Sequence, residues 1–216
     1  MSAYNLQHPT LTNDRSYSFS DYFKLGQDVR DVAQFHGYRH RSDYLSLPIA
    51  PTDQARIDAV RSLLKATLPY IVLGNEQSRR EFLISPVMQQ VILESQAIIR
   101  TEYPLKISKT LYGTLDYLLQ GQASIVVVEA KRGDLSLGFT QLAVELIAID
   151  QWKQSEQTHI LGAVSIGDVW QFGLLDRSAK LILQDLELYT IPNDLEAVVG
   201  ILKAALLSTS NSALSN

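Results

Sequence analysis

One segment of the chain carries charges where an interior strand should carry none. Ser124-Ile-Val-Val-Val-Glu-Ala-Lys131 is apolar on both faces from Ile125 to Val128, the composition of a central, doubly covered strand. Glu129 and Lys131 follow at once, and the two-residue period of a strand sets both side chains on one face. Charges on such a face are costly unless they pair with one another or bind a metal.

A third charge comes from the preceding strand, Gly113-Thr114-Leu115-Asp116-Tyr117. A two-residue loop at Gly121-Gln122 would pair residue 116 with 127 and leave Glu129 as its diagonal neighbour. A four-residue loop from Gly121 to Ser124 would set Asp116 directly opposite Glu129. Both gather Asp116, Glu129 and Lys131 on one face, whereas a three-residue loop without a bulge would separate them. Two carboxylates are hard oxygen donors suited to Mg²⁺. A bound ion can polarise a phosphoryl oxygen and acidify a water, and a lysine alongside can orient that water or offset transition-state charge.

The surrounding pattern supplies elements to hold these residues. Residues 1–18 read as a loose arm, Asp21 to Phe35 as a short helix, and Arg39 to Pro51 as a turn-rich connector. Thr52 is a candidate cap for a helix to about Leu68, striped by Ile57, Val60, Leu64 and Leu68. Asn75 caps a helix from Glu76 to about Ser95, in which Pro86 forces a kink or opens a second segment capped by Ser85. Strands follow at Ile98–Ile107, Leu111–Leu119 and Ser124–Ala130. A helix then starts at Asp134 or Ser136 and runs to about Lys153. His159 to Leu175 reads as a strand pair broken near Gly167-Asp168, and Leu181 to Ile191 as a further strand. Asp194 to Leu207 is a last helix. Three sequential strands suggest an antiparallel meander, and the long helix after the third permits a crossover. The expected fold is α/β, a three-layer α/β/α arrangement around a mixed central sheet. Residues 1–75 form an N-terminal arm and helical extension, 76–207 the core, and 208–216 a disordered tail.

Composition narrows the chemistry. The 216 residues include no cysteine, which excludes disulfides, thiolate nucleophiles and Cys-ligated zinc. No stretch is apolar and long enough to read as a bilayer span, so a soluble cytoplasmic protein without a membrane partner is expected. The net charge of −4 argues against a strongly basic nucleic-acid binder. The charge is uneven: residues 1–132 hold 15 basic and 13 acidic side chains, and residues 133–216 hold 4 and 10. A polyanion surface therefore belongs in the first part. There is no P-loop, no Gly-x-Ser-x-Gly elbow and no Gly-x-Gly-x-x-Gly.

Asp116, twelve intervening residues, and then Glu129-Ala130-Lys131 resemble the signature of the PD-(D/E)XK, or restriction-endonuclease-like, nuclease superfamily. Leu115 stands where the name implies proline. Asn75-Glu76-Gln77-Ser78-Arg79-Arg80 followed by Leu83-Ile84-Ser85-Pro86 is similar to the opening of the nuclease domain of type I restriction motor subunits. The resemblance implies a Mg²⁺-dependent nuclease, with Mn²⁺ able to substitute, acting on DNA or RNA in restriction or defence. It implies Asp116, Glu129 and the Ala130 carbonyl as metal ligands and Lys131 as the residue that positions the water. It also implies a supporting glutamate on the first core helix, Glu76 with Glu81 as alternate. A glutamine on the helix after the third strand, matched by Gln141, completes the set. Glu145 lies one turn on, where such families often carry tyrosine. A specificity or motor protein would be a partner, and a homodimer would suit double-strand cutting. The alternative is a non-catalytic relative serving as a binding or assembly module.

Plainer readings stand beside these. Asp116, Glu129 and Lys131 could be an ion-pair cluster, Gln141 and Glu145 a solvent-facing stripe, and Glu76 an acid favoured by the helix dipole. Arg79, Arg80, Lys106 and Lys109 could touch phosphates or simply be solvated, as could His36, Tyr38, Arg39, His40 and Arg41. Trp152 and Trp170 read as packing residues.

Overall fold

The computed structural model describes residues 11–121, 125–131, 133–152 and 157–208. The ends of the expected arm and tail, most of the turn after Gly121 and the residue Lys153 lie outside that range. One mixed sheet organises the rest. Its order is β1 (Arg39–Asp43), β7 (Leu181–Asp185), β6 (Val169–Asp176), β5 (His159–Ser165), β4 (Ile125–Ala130), β3 (Tyr112–Gln120) and β2 (Ile98–Lys106), with the two-residue β8 (Tyr189–Thr190) paired to β6. Strands β2, β3 and β4 form the antiparallel meander, and β5, β6 and β7 a second one. The two meet where β4 runs parallel to β5, the crossover being the long helix α6 (Leu135–Trp152).

Helices cover both faces of this α/β sheet, an arrangement compatible with three layers. On one face α3 (Gln54–Thr67), α5 (Ser85–Ser95) and α7 (Leu195–Leu207) bury Ile57, Val87, Val91 and Leu202 against Val126, Val128, Ala163 and Phe172. On the other, α1 (Phe19–Lys24), α2 (Val29–Phe35) and α6 bury Tyr22, Val32 and Leu146 against Leu118, Ile160 and Leu175. Every residue of α6 from Gly138 to Asp150 is buried, because α1 and α2 close over the side that the sheet does not. Alternation along β5, with Ala163 in one layer and Val164 in the other, supplies both cores from one strand. Among the described residues no helix is long and apolar enough to cross a membrane.

Several local features depart from the sequence expectation. The segment read as a turn-rich connector contains β1, which pairs in parallel with β7 from Arg39↔Leu181 to Asp43↔Asp185. Its residues, Arg-His-Arg-Ser-Asp, carry no apolar alternation, so its pairing rests on the backbone and on contacts such as His40 Nε2 to Gln184 Oε1 at 3.1 Å. The single helix expected over Asp21–Phe35 is two, parted at Gly26, whose φ is +62°, with Asp28 capping the second through Arg30 N–H. Asp53 rather than Thr52 caps α3. Leu181–Ile191 splits into β7 and β8.

Pro86 opens a second segment, α5, as one of the two expected alternatives had it, but Ile84 rather than Ser85 stands at its cap. The chain runs from α4 (Glu76–Arg79) through a π-helical stretch, Arg80–Ile84, directly into α5. The Ser85 N–H reaches back five residues to the Arg80 carbonyl. This wider winding accommodates a residue without an N–H.

Residues 11–43 are woven into both an edge of the sheet and the cover of α6. A chain lacking residues 1–43 is expected to lose its cooperative thermal transition, because α6 and β7 would each be left with an open face. Circular dichroism melting tests this, and a sharp transition in the truncated chain would show the segment to be a separable extension.

Candidate functional site

The charged group is built by three elements. The β3–β4 register runs Tyr117↔Val128, Leu118↔Val127, Leu119↔Val126 and Gln120↔Ile125. The last pair at that end is Tyr117↔Val128, and Asp116 and Glu129 are the next residue on each strand. Glu129 is buried, at 1% exposure, and its Oε1 is ion-paired with the Lys131 ammonium. From α6, Gln141 donates through Nε2 to Glu129 Oε1 at 2.7 Å and to Glu145 Oε1 at 2.9 Å. The polar stripe of α6 therefore points inward; Gln141 and Glu145 are buried and do not face solvent.

Asp116 sits at the margin of this group. Arg80 Nη1 donates to its Oδ1 at 3.5 Å and lies 2.6 Å from Glu102 Oε1, with the guanidinium stacked 5.2 Å from the centre of the Tyr117 ring. Glu102 interrupts the β2–β3 ladder opposite Asp116. Thr101 pairs with Tyr117 and Tyr103 with Leu115, while Glu102 between them adopts a left-handed backbone with φ +51°. Such a conformation in a non-glycine residue costs on the order of 1–3 kcal/mol and recurs at functional sites.

Glu76 opens α4, after Asn75, whose side chain accepts the Ser78 N–H at 2.7 Å as the sequence suggested. It lines a surface groove of about 840 Å³ with Arg80, Glu81, Thr101 and Tyr117. Glu76 thus stands on the wall of that groove, whose lining holds none of Glu129, Lys131, Gln141 and Glu145, and the bonds described around Glu129 do not include it. Glu81 is held by Gln77 Nε2 at 2.9 Å. Ala130 pairs with Ser165 in the β4–β5 ladder.

Burial pushes the Glu129 carboxyl well above its ordinary range, and the nearby Glu145 and Asp116 push it further, against the pull of Lys131. Burial likewise raises Glu145 to about 7. Two carboxyls joined through one amide titrate as a pair. For Lys131 burial disfavours the charge, but Glu129 more than offsets this, so the lysine is held as a cation. It can donate hydrogen bonds and balance negative charge, and it is poorly placed to accept a proton.

Three buried oxygen atoms of this group, Glu129 Oε2, Gln141 Oε1 and Glu145 Oε2, have no hydrogen-bond partner among the described residues. Buried acceptors without partners are costly; the proton that the raised Glu129 and Glu145 carboxyls share can satisfy two of these oxygens, and a cation is the other species that would. Among the described residues no cluster of three or more histidine, aspartate or glutamate side chains is set to hold a metal ion.

Sequence reasoning missed three supports. A Cβ on Gly138 of α6 would lie 2.8 Å from Val164 Cγ2 and 3.1 Å from Lys131 Cγ, so the helix passes close enough to confine the lysine stem only because that position is glycine. A glycine inside an otherwise apolar helix is a signal of such an approach. The Phe23 ring lies 5.3 Å beneath the Lys131 ammonium, and Glu102 completes the Arg80 clamp. Nothing in the spacing of either residue announces its role.

The other candidates stand apart from this group. Arg79 Nη1 donates to the Ile166 carbonyl at 2.7 Å, while Lys106 and Lys109 are exposed. His36 bonds the Tyr22 hydroxyl at 3.0 Å, and Tyr38 donates to Asp150. Asp150 is also held by Arg177 at 2.7 Å and by Lys180, a buried charge with its partners supplied. Trp170 is fully buried, and Trp152 packs 5.7 Å from Tyr103. No family model matches the chain, and no curated protein matches it.

The raised carboxyl values fix a pH dependence. A buried acid that holds its proton more tightly when folded loses stability as pH rises from its unfolded value through its folded one. The metal-free protein is therefore expected to lose roughly 2–3 kcal/mol between about pH 4.5 and 7 from this group. Glu145→Gln should flatten that decline and melt higher than wild type at pH 8. Parallel pH profiles of Tm for the two proteins would exclude Glu145 as the cause.

Proposed function

We propose that the protein is a Mg²⁺-dependent nuclease that hydrolyses phosphodiester bonds in nucleic acid, DNA first, on a restriction-endonuclease-like core. One observation carries the reading. Asp116 follows the last β3–β4 pair on its strand as Glu129 does on the other, close enough to raise the buried Glu129 carboxyl, and Lys131 and Gln141 converge on that group. Buried acceptor oxygens beside them are left without partners among the described residues. A purely structural cluster would be expected to satisfy its members, as the Asp150 group does.

Asp116, Glu129 and the Ala130 carbonyl would hold the ion, with Glu76 reaching in from the groove wall. Bound there, Mg²⁺, or Mn²⁺ in its place, supplies a polarised phosphoryl oxygen and a more acidic water. Lys131, kept cationic by Glu129, orients the attacking water and balances charge on the phosphorane-like transition state. Gln141 fixes the Glu129 carboxylate through its amide N–H, and Gly138 keeps the lysine stem in line. Phosphates lie along the groove beside Arg80. Restriction or defence is the role that follows, with a specificity or motor partner choosing the site.

One observation favours the rival reading, a non-catalytic binding or assembly module. Asp116 and Glu129 are each already held by a side-chain cation. Single- and double-stranded DNA, and RNA, incubated with Mg²⁺, Mn²⁺ or EDTA separate the two. Metal-dependent products are expected from the wild type, reduced about a hundredfold or more in Glu129→Ala and Lys131→Ala. Asp116→Asn should weaken Mn²⁺ binding in a calorimetric titration. A folded wild-type chain that cleaves none of these substrates and binds no Mn²⁺ would establish the module instead.

A further inference from the structure

Arg80 stands between the surface groove and Asp116. It lines the groove with Glu76 and Tyr117, and its guanidinium bonds Asp116 at 3.5 Å. Glu102, more than half exposed, grips the same nitrogen at 2.6 Å. The Tyr117 ring supports the guanidinium from below. The position is set by the backbone: Arg80 begins the π-helical stretch, and Glu102 leaves the ladder in a left-handed turn to meet it. Two unusual backbone conformations thus converge on one ion-pair network. An exposed Glu102 is a weak competitor, whereas a phosphate offers a guanidinium two charge-assisted hydrogen bonds at once.

We propose that Arg80 is a positioning residue that exchanges partners. In the free protein it adds positive charge beside Asp116, and a phosphodiester entering the groove draws it away, so that Asp116 attracts a divalent cation more strongly. This rests on the nuclease reading and adds an order to it. Because the exchange links two binding events, nucleic acid and cation each strengthen the binding of the other. The exchange also keeps Asp116 neutralised while the groove is empty.

The test uses the full chain and two titrations that need no turnover. Without nucleic acid, Arg80→Gln should bind Mn²⁺ on the order of three- to tenfold more tightly than wild type, since a screening charge is removed. In EDTA, the same variant should bind a labelled oligonucleotide several-fold more weakly, with a salt slope shallower by about one. Glu102→Gln should act in the opposite sense on Mn²⁺, because Arg80 then has Asp116 as its remaining carboxylate. A merely structural role for Arg80 would not give opposite signs. Circular dichroism confirms folding, with Arg80→Lys available should Arg80→Gln unfold; it retains the charge but not the fork, and should lose oligonucleotide affinity. Equal or weaker Mn²⁺ binding by a folded Arg80→Gln, or unchanged oligonucleotide affinity, would overturn the exchange. A wild type that binds no Mn²⁺ would instead overturn the nuclease reading itself.

Discussion

The cost of burying Glu129 governs the architecture around it. A carboxylate at the end of a strand covered on both faces needs partners, and they come from every side: Lys131 from its own strand, Gln141 from α6, and Asp116 alongside through the register. Each partner brings a requirement. Lys131 needs Gly138 to let α6 approach, and its ammonium rests over the Phe23 ring. Gln141 needs α6 buried along its length, and that needs α1 and α2. Even so, the group is left with more acceptors than donors. Asp150, at the other end of the same helix, is saturated by Tyr38, Arg177 and Lys180. The contrast within one element is between a charge whose partners are all supplied and a group that retains unpartnered oxygens.

Much of this was legible in the chain. The apolar run from Ile125 to Val128 demanded a doubly covered strand, and its abrupt charges demanded partners on one face. Hairpin arithmetic left two registers that gather them, and the structure takes the four-residue connection. Helical period put Gln141 and Glu145 on one stripe of a mostly apolar helix, but whether it faced the site or solvent was open until the structure showed both buried. What escaped was set by tertiary contact. Arg80 was readable as a phosphate contact but not as a clamp on Asp116, since its reach depends on the π-helical turn around Pro86. Phe23 lies more than a hundred residues from the lysine it covers, and no local period links them. Strand β1 has no apolar alternation, because an edge strand can be held by backbone bonds alone.

The same reasoning places the N-terminal residues. An amphipathic helix can be covered by the sheet alone; an all-apolar one cannot. The composition of α6 was therefore already a demand for a second layer, and Phe19, Tyr22 and Val32 answer it. The residues that looked like an addition to the core share its second hydrophobic cluster.

Strand β1 has a consequence for biosynthesis. Arg39 pairs with Leu181, so the strand leaves the ribosome long before its partner exists. A valine-rich segment waiting that long with open backbone groups would be a template for aggregation. Arg-His-Arg-Ser-Asp waits in water without harm, because each residue is soluble on its own. The polarity that hid this strand from sequence patterns is what lets the nascent chain carry it, and the sheet acquires its last edge only after β7 has been translated.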